Sequence, residues 1–148
     1  LQAVYVNNYF TYNNTTGQEI TETRDLIAAN FTNCIIDGNN NIEFLPDRVD
    51  GSLFNFKVTN SLIKFTDVNN LLEGLPEVDF NNTSLYDNIL LNGVSHFRNA
   101  SDNDYIIGQE SQAINFGNSI GANLVPLDIL GVSRTINPDT GAYQHIDF

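Results

Sequence analysis

The residues best suited to chemistry are Asp37, the pair Asp47 and Asp50 flanking Arg48, and the cations Lys57 and Lys64. Two reactions can be written for such a set. Acidic side chains can hold calcium while an Arg or Lys removes the proton α to a uronate carboxyl, the chemistry of a polysaccharide lyase. Alternatively, two carboxylates at a fixed separation across a groove can hydrolyse a glycosidic bond. Sequence does not show any pair of these residues at such a separation, and carboxylates in turns are mostly solvated. His96 and His145 do not make a ligand set, and no nucleophile elbow, P-loop or zinc spacing is present. No cofactor is expected, and calcium is the one ion that the lyase chemistry would require.

The bulk composition narrows the partners. At 148 residues the chain is long enough for one domain with a real core. It carries 6 basic and 18 acidic side chains, a net charge of -12. A nucleic acid or an anionic membrane would need phosphate-neutralising cations that are missing here, so neither is an expected partner. The carboxylates are dispersed, without an acidic tail. No stretch approaches a membrane span, so membrane insertion is not expected. There is no N-terminal signal peptide and Leu1 is not an initiator Met, which reads as a mature or truncated piece of something longer. The single Cys34 cannot form an internal disulfide and is expected to pack as a small buried hydrophobe beside Ile35 and Ile36.

The elements that must position these groups are strands and turns. Asparagine doublets or triplets occur at Asn7-Asn8, Asn13-Asn14, Asn39-Asn40-Asn41, Asn69-Asn70 and Asn81-Asn82. Asn is poor in helix interiors and suited to turns, where it tolerates left-handed backbone. Phe31-Thr32-Asn33-Cys34-Ile35-Ile36 matches Val58-Thr59-Asn60-Ser61-Leu62-Ile63 at an offset of 27 residues, and Val6-Asn7-Asn8-Tyr9-Phe10 is a looser, earlier copy. An offset of that size belongs to solenoid repeats, in which Asn8, Asn33 and Asn60 would stack as a ladder at successive bends. Residues 51–58 alternate with period two, placing Phe54, Phe56 and Val58 on a buried face and Leu53, Asn55 and Lys57 on the other. Ile42 to Leu45 reads as a strand ended by Pro46. Glu19 to Ala29 is either a helical turn or, the preferred reading, an irregular strand. Val68, Leu71, Leu72 and Leu75 have the spacing of a short helix ahead of Pro76.

The C-terminal third carries an ordered pattern: Ser111-Gln-Ala113-Ile114-Asn115-Phe-Gly117, then Asp128-Ile-Leu-Gly131-Val-Ser-Arg134, then Asp139-Thr-Gly141-Ala142-Tyr143-Gln144. It resembles the C-terminal signature of the choice-of-anchor Q proteins, secreted bacterial β-helices related in architecture to pectate lyases. The resemblance is specific over roughly residues 97 to 148. It implies an all-β fold, a right-handed parallel β-helix solenoid of a few coils (about 1–107) closed by a C-terminal cap (about 108–148). It also implies secretion or display on a bacterial cell surface, with further coils on the N-terminal side. Ser111, Asn115, Asp128, Arg134, Asp139 and Tyr143 are then structural residues of the cap. Asn115 and Gln144 replace a family Asp and Glu and so keep hydrogen bonding without charge, while Asp128 and Arg134 would form an ion pair. The function expected is that of a non-catalytic, adhesin-like module contacting a polysaccharide or a cell-surface protein. The alternative is the C-terminal part of a polysaccharide lyase or glycoside hydrolase whose active site lies on absent N-terminal coils.

Overall fold

Period-two alternation from Phe54 onward builds the central strand of the computed structural model, which describes residues 1–148. Ten strands occur in the order β1 (Val4–Asn7), β2 (Tyr9–Asn13), β3 (Glu19–Thr23), β4 (Leu26–Thr32), β5 (Ile35–Ile36), β6 (Phe44–Asp47), β7 (Phe54–Ile63), β8 (Tyr86–Leu91), β9 (Phe97–Asn99) and β10 (Asp104–Ile107), followed by one short helix, α1 (Ser119–Leu124). Phe56 and Val58 of β7 are buried while Leu53 and Asn55 are exposed, as the alternation requires.

β7 is paired in parallel on both edges, with β4 and β5 on one side and β8 on the other. Phe31 stands opposite Val58, Thr32 opposite Thr59, and Ile35 opposite Leu62, so the two matching hexapeptides lie side by side. β4 and β5 are one path bent at Asn33, whose φ is 57°. β7 bends at Asn60 (φ 47°) and β8 at Asn88 (φ 52°), in register with Asn33. Left-handed backbone is unfavourable for most L-residues and is tolerated by Asn, which is why Asn recurs at this bend.

The core lies against the inner face of this sheet. Phe44, Phe56, Val58, Ile63, Phe65 and Tyr86 form a buried cluster, completed by Val6 and Ile36. The parallel pair β1–β6 reaches it through Val6 and Phe44. Cys34 is half-buried and packs against the same cluster; burial pushes its thiol pKa up, against a smaller lowering by its contact with the Thr32 carbonyl.

Several expectations are corrected. The chain is mainly β, but it is made of four separate small sheets, and no solenoid or closed parallel β-helix is formed. A solenoid repeats one offset on every face. Here the β7 sheet pairs at 27 or 28 residues, whereas β1 pairs with β6 at 40. β2–β3 and β9–β10 are antiparallel hairpins, whose chain reversals have no place in a coil. Asn8 accordingly does not stack on Asn33; its side chain accepts from the Val49 N–H and donates to the Val49 carbonyl, both at 2.9 Å. Asn88 takes the third place at the bend.

No helix forms at Val68–Leu75, where Val68 and Leu71 are exposed; the segment is turns ahead of a single 3₁₀ turn, Pro76–Val78. Pro46 does not end its strand but lies within β6, opposite Val6, at an edge where its missing N–H costs nothing. Helix α1 gave no periodic signal because it has only 6 residues; Asn118 caps it, accepting from the N–H groups of Ile120 and Gly121.

Candidate functional site

The C-terminal segment folds back across the Asn bends. Asn33 donates to the Asn118 carbonyl at 3.0 Å and accepts from the Asn118 N–H at 2.6 Å, and Asn60 donates to the Phe116 carbonyl at 3.0 Å. The Thr140 hydroxyl donates to the Asn60 carbonyl at 2.9 Å, and the Gly141 N–H donates to that of Asn33, also at 2.9 Å. The bends leave carbonyls without strand partners, and this segment satisfies them.

Asp139 organises the return. It is fully buried; one carboxylate oxygen accepts from the Asn115 N–H at 2.7 Å, and the other accepts from the His145 N–H at 2.6 Å and lies 2.8 Å from His145 Nδ1. The Gln144 side-chain oxygen accepts from the Asp139 N–H at 2.9 Å. Asn115 contributes its backbone N–H and a left-handed φ of 56°. Ser111 is buried, its hydroxyl oxygen accepting from the Ala113 N–H at 3.2 Å.

Asp128 and Arg134 are both buried but make no direct ion pair. Arg134 Nη2 donates to the carbonyls of Asp139 at 3.0 Å and Gly141 at 2.7 Å. Asp128 accepts from the N–H groups of Leu130 and Val132, each at 2.8 Å, and from that of Gln144 at 2.9 Å. Desolvation would raise the Asp128 carboxyl, but those three N–H groups and the charge of Arg134 outweigh it and hold the pKa below its ordinary 3.8.

A further buried carboxylate, Glu43, behaves like Asp128: burial opposes the charge, and bonds from the Asn40 N–H, the Asn40 amide and the Ala3 N–H prevail, leaving the pKa below 4.5. Both groups bind a proton more readily in the unfolded chain than in the folded one. Their stabilisation is therefore complete above the unfolded pKa values and is lost as pH falls through the folded ones. Thermal melts from pH 6 downward should show stability constant to about pH 4.5 and falling below it. Asp128→Asn with Glu43→Gln should flatten that acid limb; an unchanged limb would refute the assignment.

Over this framework lies a groove of about 660 Å³, lined by Ile35, Phe97, Tyr105, Ile107, Ile129 and Tyr143, with Asn33, Asp37 and Thr140 among its polar groups. β9 and β10 supply Phe97 and Tyr105, whose rings meet edge to face at 5.3 Å. The turn at Thr140–Gly141 brings Tyr143 to the same groove. Gly141 is needed there: its φ is 108°, and a Cβ would lie 2.8 Å from Ile35.

Among the acids and cations considered for chemistry, Asp37 and Lys64 are brought together. Lys64 Nζ lies 3.9 Å from one Asp37 oxygen and donates to the Gly38 carbonyl. The other Asp37 oxygen accepts from the Ser95 hydroxyl at 2.5 Å. Asp37 also borders a polar cleft of about 440 Å³ with Lys64, Asn92, Ser95 and His96, so it stands between the two depressions. Asp47 is elsewhere, accepting from the hydroxyls of Tyr5 and Tyr9, each at 2.5 Å. Burial first, and then the bond to Asp47, push the Tyr5 pKa far up; for Tyr9 that bond comes first. Arg48 is paired with Glu77 at 3.1 Å and with Asp50 at 3.5 Å. Lys57, within β7, joins none of these groups. His145 belongs to Asp139, while His96 stacks on Phe148 at 5.3 Å and faces Glu110 at 3.6 Å.

Phe97, Tyr105, Ser95 and Ile129 were not singled out by sequence. Phe97 and Tyr105 could have been found from the hairpin they share, since a turn at Ala100–Asp102 and a left-handed Asn103 join two short apolar runs. No family model, curated protein or solved structure matches this chain.

Proposed function

We propose that this chain is a non-catalytic glycan-binding module of a secreted or cell-surface protein. The observation that carries the reading is the convergence of Phe97, Tyr105 and Tyr143 on one groove with Asp37 at its side. Sugar rings present C–H faces that pack on aromatic rings and hydroxyls that donate to a carboxylate, and a concave apolar site with few polar groups suits them. Tyr143 is half-buried and rests on a turn fixed from beneath by Arg134 and Asp139, so the ring is preorganised. Catalysis has less support. Asp37 and Lys64, the acid and cation that do meet, are engaged with Ser95, Gly38 and each other, which suits a fixed wall more than a proton carrier.

Affinity electrophoresis of the chain through a panel of neutral and acidic polysaccharides, with and without a calcium chelator, tests this. Retardation by at least one polysaccharide is expected, independent of chelation. Tyr143→Ala should weaken binding about tenfold, the loss of roughly one aromatic stacking contact. Retention by none of the panel, or binding indifferent to both Tyr143→Ala and Tyr105→Ala, would reject the reading. Release of unsaturated sugars from any of them would show an enzyme instead.

A further inference from the structure

The segment from Ser119 to Asn137 is unlike the rest of the molecule. It exposes Ile120 (73%), Leu124 (82%), Leu127, Ile129, Leu130 and Ile136 (80%), with Val125 and Val132 between them. Its charged side chains are Asp128 and Arg134, and both are buried. A chain of net charge -12 thus carries one segment with eight exposed aliphatic side chains and no exposed charge of its own. Ile120 and Leu124 are one turn apart on α1 and share a side of it. Leu127 to Ser133 closes as a small loop, held by the bridge between those two residues and by Asp128, with Ile129 and Leu130 near its tip.

We infer that this face is a self-association surface, and that its occupant is the same face of a second copy of the chain. Two features single out that occupant. The first is charge. Two copies meeting elsewhere would oppose carboxylates, while here no exposed charge is brought together; a basic partner, which the rest of the surface would attract, finds no carboxylate to pair with at this face. The second is size. An aliphatic side chain removes roughly 60–120 Å² of apolar surface from water when buried. The eight side chains, none less than about half exposed, then offer roughly 300–600 Å² per copy and about 600–1,200 Å² in total, the range of a weak, reversible contact whose upper end meets the lower edge of specific stable interfaces. A face that meets itself across a twofold axis closes at two copies and leaves no open end.

Sedimentation velocity of the intact chain over a concentration series tests this. A monomer–dimer equilibrium is expected, with dimer appearing by about 100 μM, as suits an interface of this size. Salt should strengthen it, because screening removes repulsion between the acidic bodies while the apolar contact persists. Leu124→Asp and Ile136→Asp should each shift dissociation at least tenfold, with melting temperature and circular dichroism unchanged because both side chains are exposed. Ile129 lines the aromatic groove but Leu124 and Ile136 do not, so polysaccharide binding should survive in both variants. A monomer at every concentration, assembly beyond two copies, or a dimer that persists in both variants would overturn the proposal.

Discussion

Replacing Phe44 by alanine should lower the stability of the fold by about 5 kcal/mol, enough to unfold a domain of ordinary stability at physiological temperature. Phe44 is fully buried, and its ring meets Phe31 at 5.6 Å, Phe56 at 5.8 Å and Tyr86 at 6.4 Å. Those partners belong to β4, β7 and β8, while Phe44 itself belongs to β6. Phe44 is therefore the larger of two side chains, the other being Val6, that dock the β1–β6 pair onto the parallel sheet. Truncating a buried Phe costs roughly 3–5 kcal/mol through lost transfer energy and the cavity left behind, and each aromatic pair adds about 0.5–1.5 kcal/mol. Equilibrium denaturation in urea measures the loss. Phe44→Leu, which keeps most of the volume, should cost far less. A loss under about 2 kcal/mol for alanine would mean that β1 and β6 are not held by this contact.

Asp139→Ala should cost about 2–6 kcal/mol, as expected when two buried N–H groups lose their acceptor at roughly 1–3 kcal/mol each. Two backbone N–H groups converge on the Asp139 carboxylate beside the half-exposed His145 ring, and removal leaves those two donors without their acceptor. The contrast with Asp139→Asn is the sharper test. Asn preserves the volume, but its NH₂ group faces donors and cannot accept from them, so it should lose most of what alanine loses. If Asn is nearly neutral, the residue acts by packing alone. Hydrogen exchange should respond at the amides of Asn115, Asn118 and Gly141, because they are bonded to Asp139 or to the Asn33 bend that the returning segment covers. Exchange confined to His145 would show that the rest of the returning segment holds without the carboxylate.

The legible parts of this molecule are those in which one strand reports its own surroundings. Phe54, Phe56 and Val58 alternate because β7 has one buried face, and the matching hexapeptides around Asn33 and Asn60 read as neighbours because parallel strands at a shared bend need the same residue types. The inference failed when it was extended to the other faces. A match between two strands says nothing of how the chain travels between them, and here it travels through hairpins and a separate β1–β6 pair. Asn88 was overlooked because Tyr86-Asp87-Asn88-Ile89 shares only the spacing of the bend, whereas Asn8 had the same spacing and a different role. The C-terminal pattern led to an expected Asp128–Arg134 ion pair, whereas each of the two engages backbone groups instead. The groove was illegible for a related reason: Phe97 and Tyr105 meet Tyr143 only after Thr140 and Gly141 have closed on the Asn33 and Asn60 carbonyls, a contact between distant parts of the chain.

The anchoring of Asn33 by Asn118 also sets an order of events during synthesis. The two residues are 85 positions apart. At about 5–20 residues per second, roughly 4–17 s pass between their emergence from the ribosome. For that interval β4 and β7 can find each other, but the Asn33 and Asn60 side chains lack their partners at Asn118 and Phe116, and the bend carbonyls stay open longer still, until Thr140 and Gly141 arrive. A nascent chain truncated before residue 118 would thus be a template for misassembly, and the last third of the protein acts on the first as a delayed, built-in chaperone.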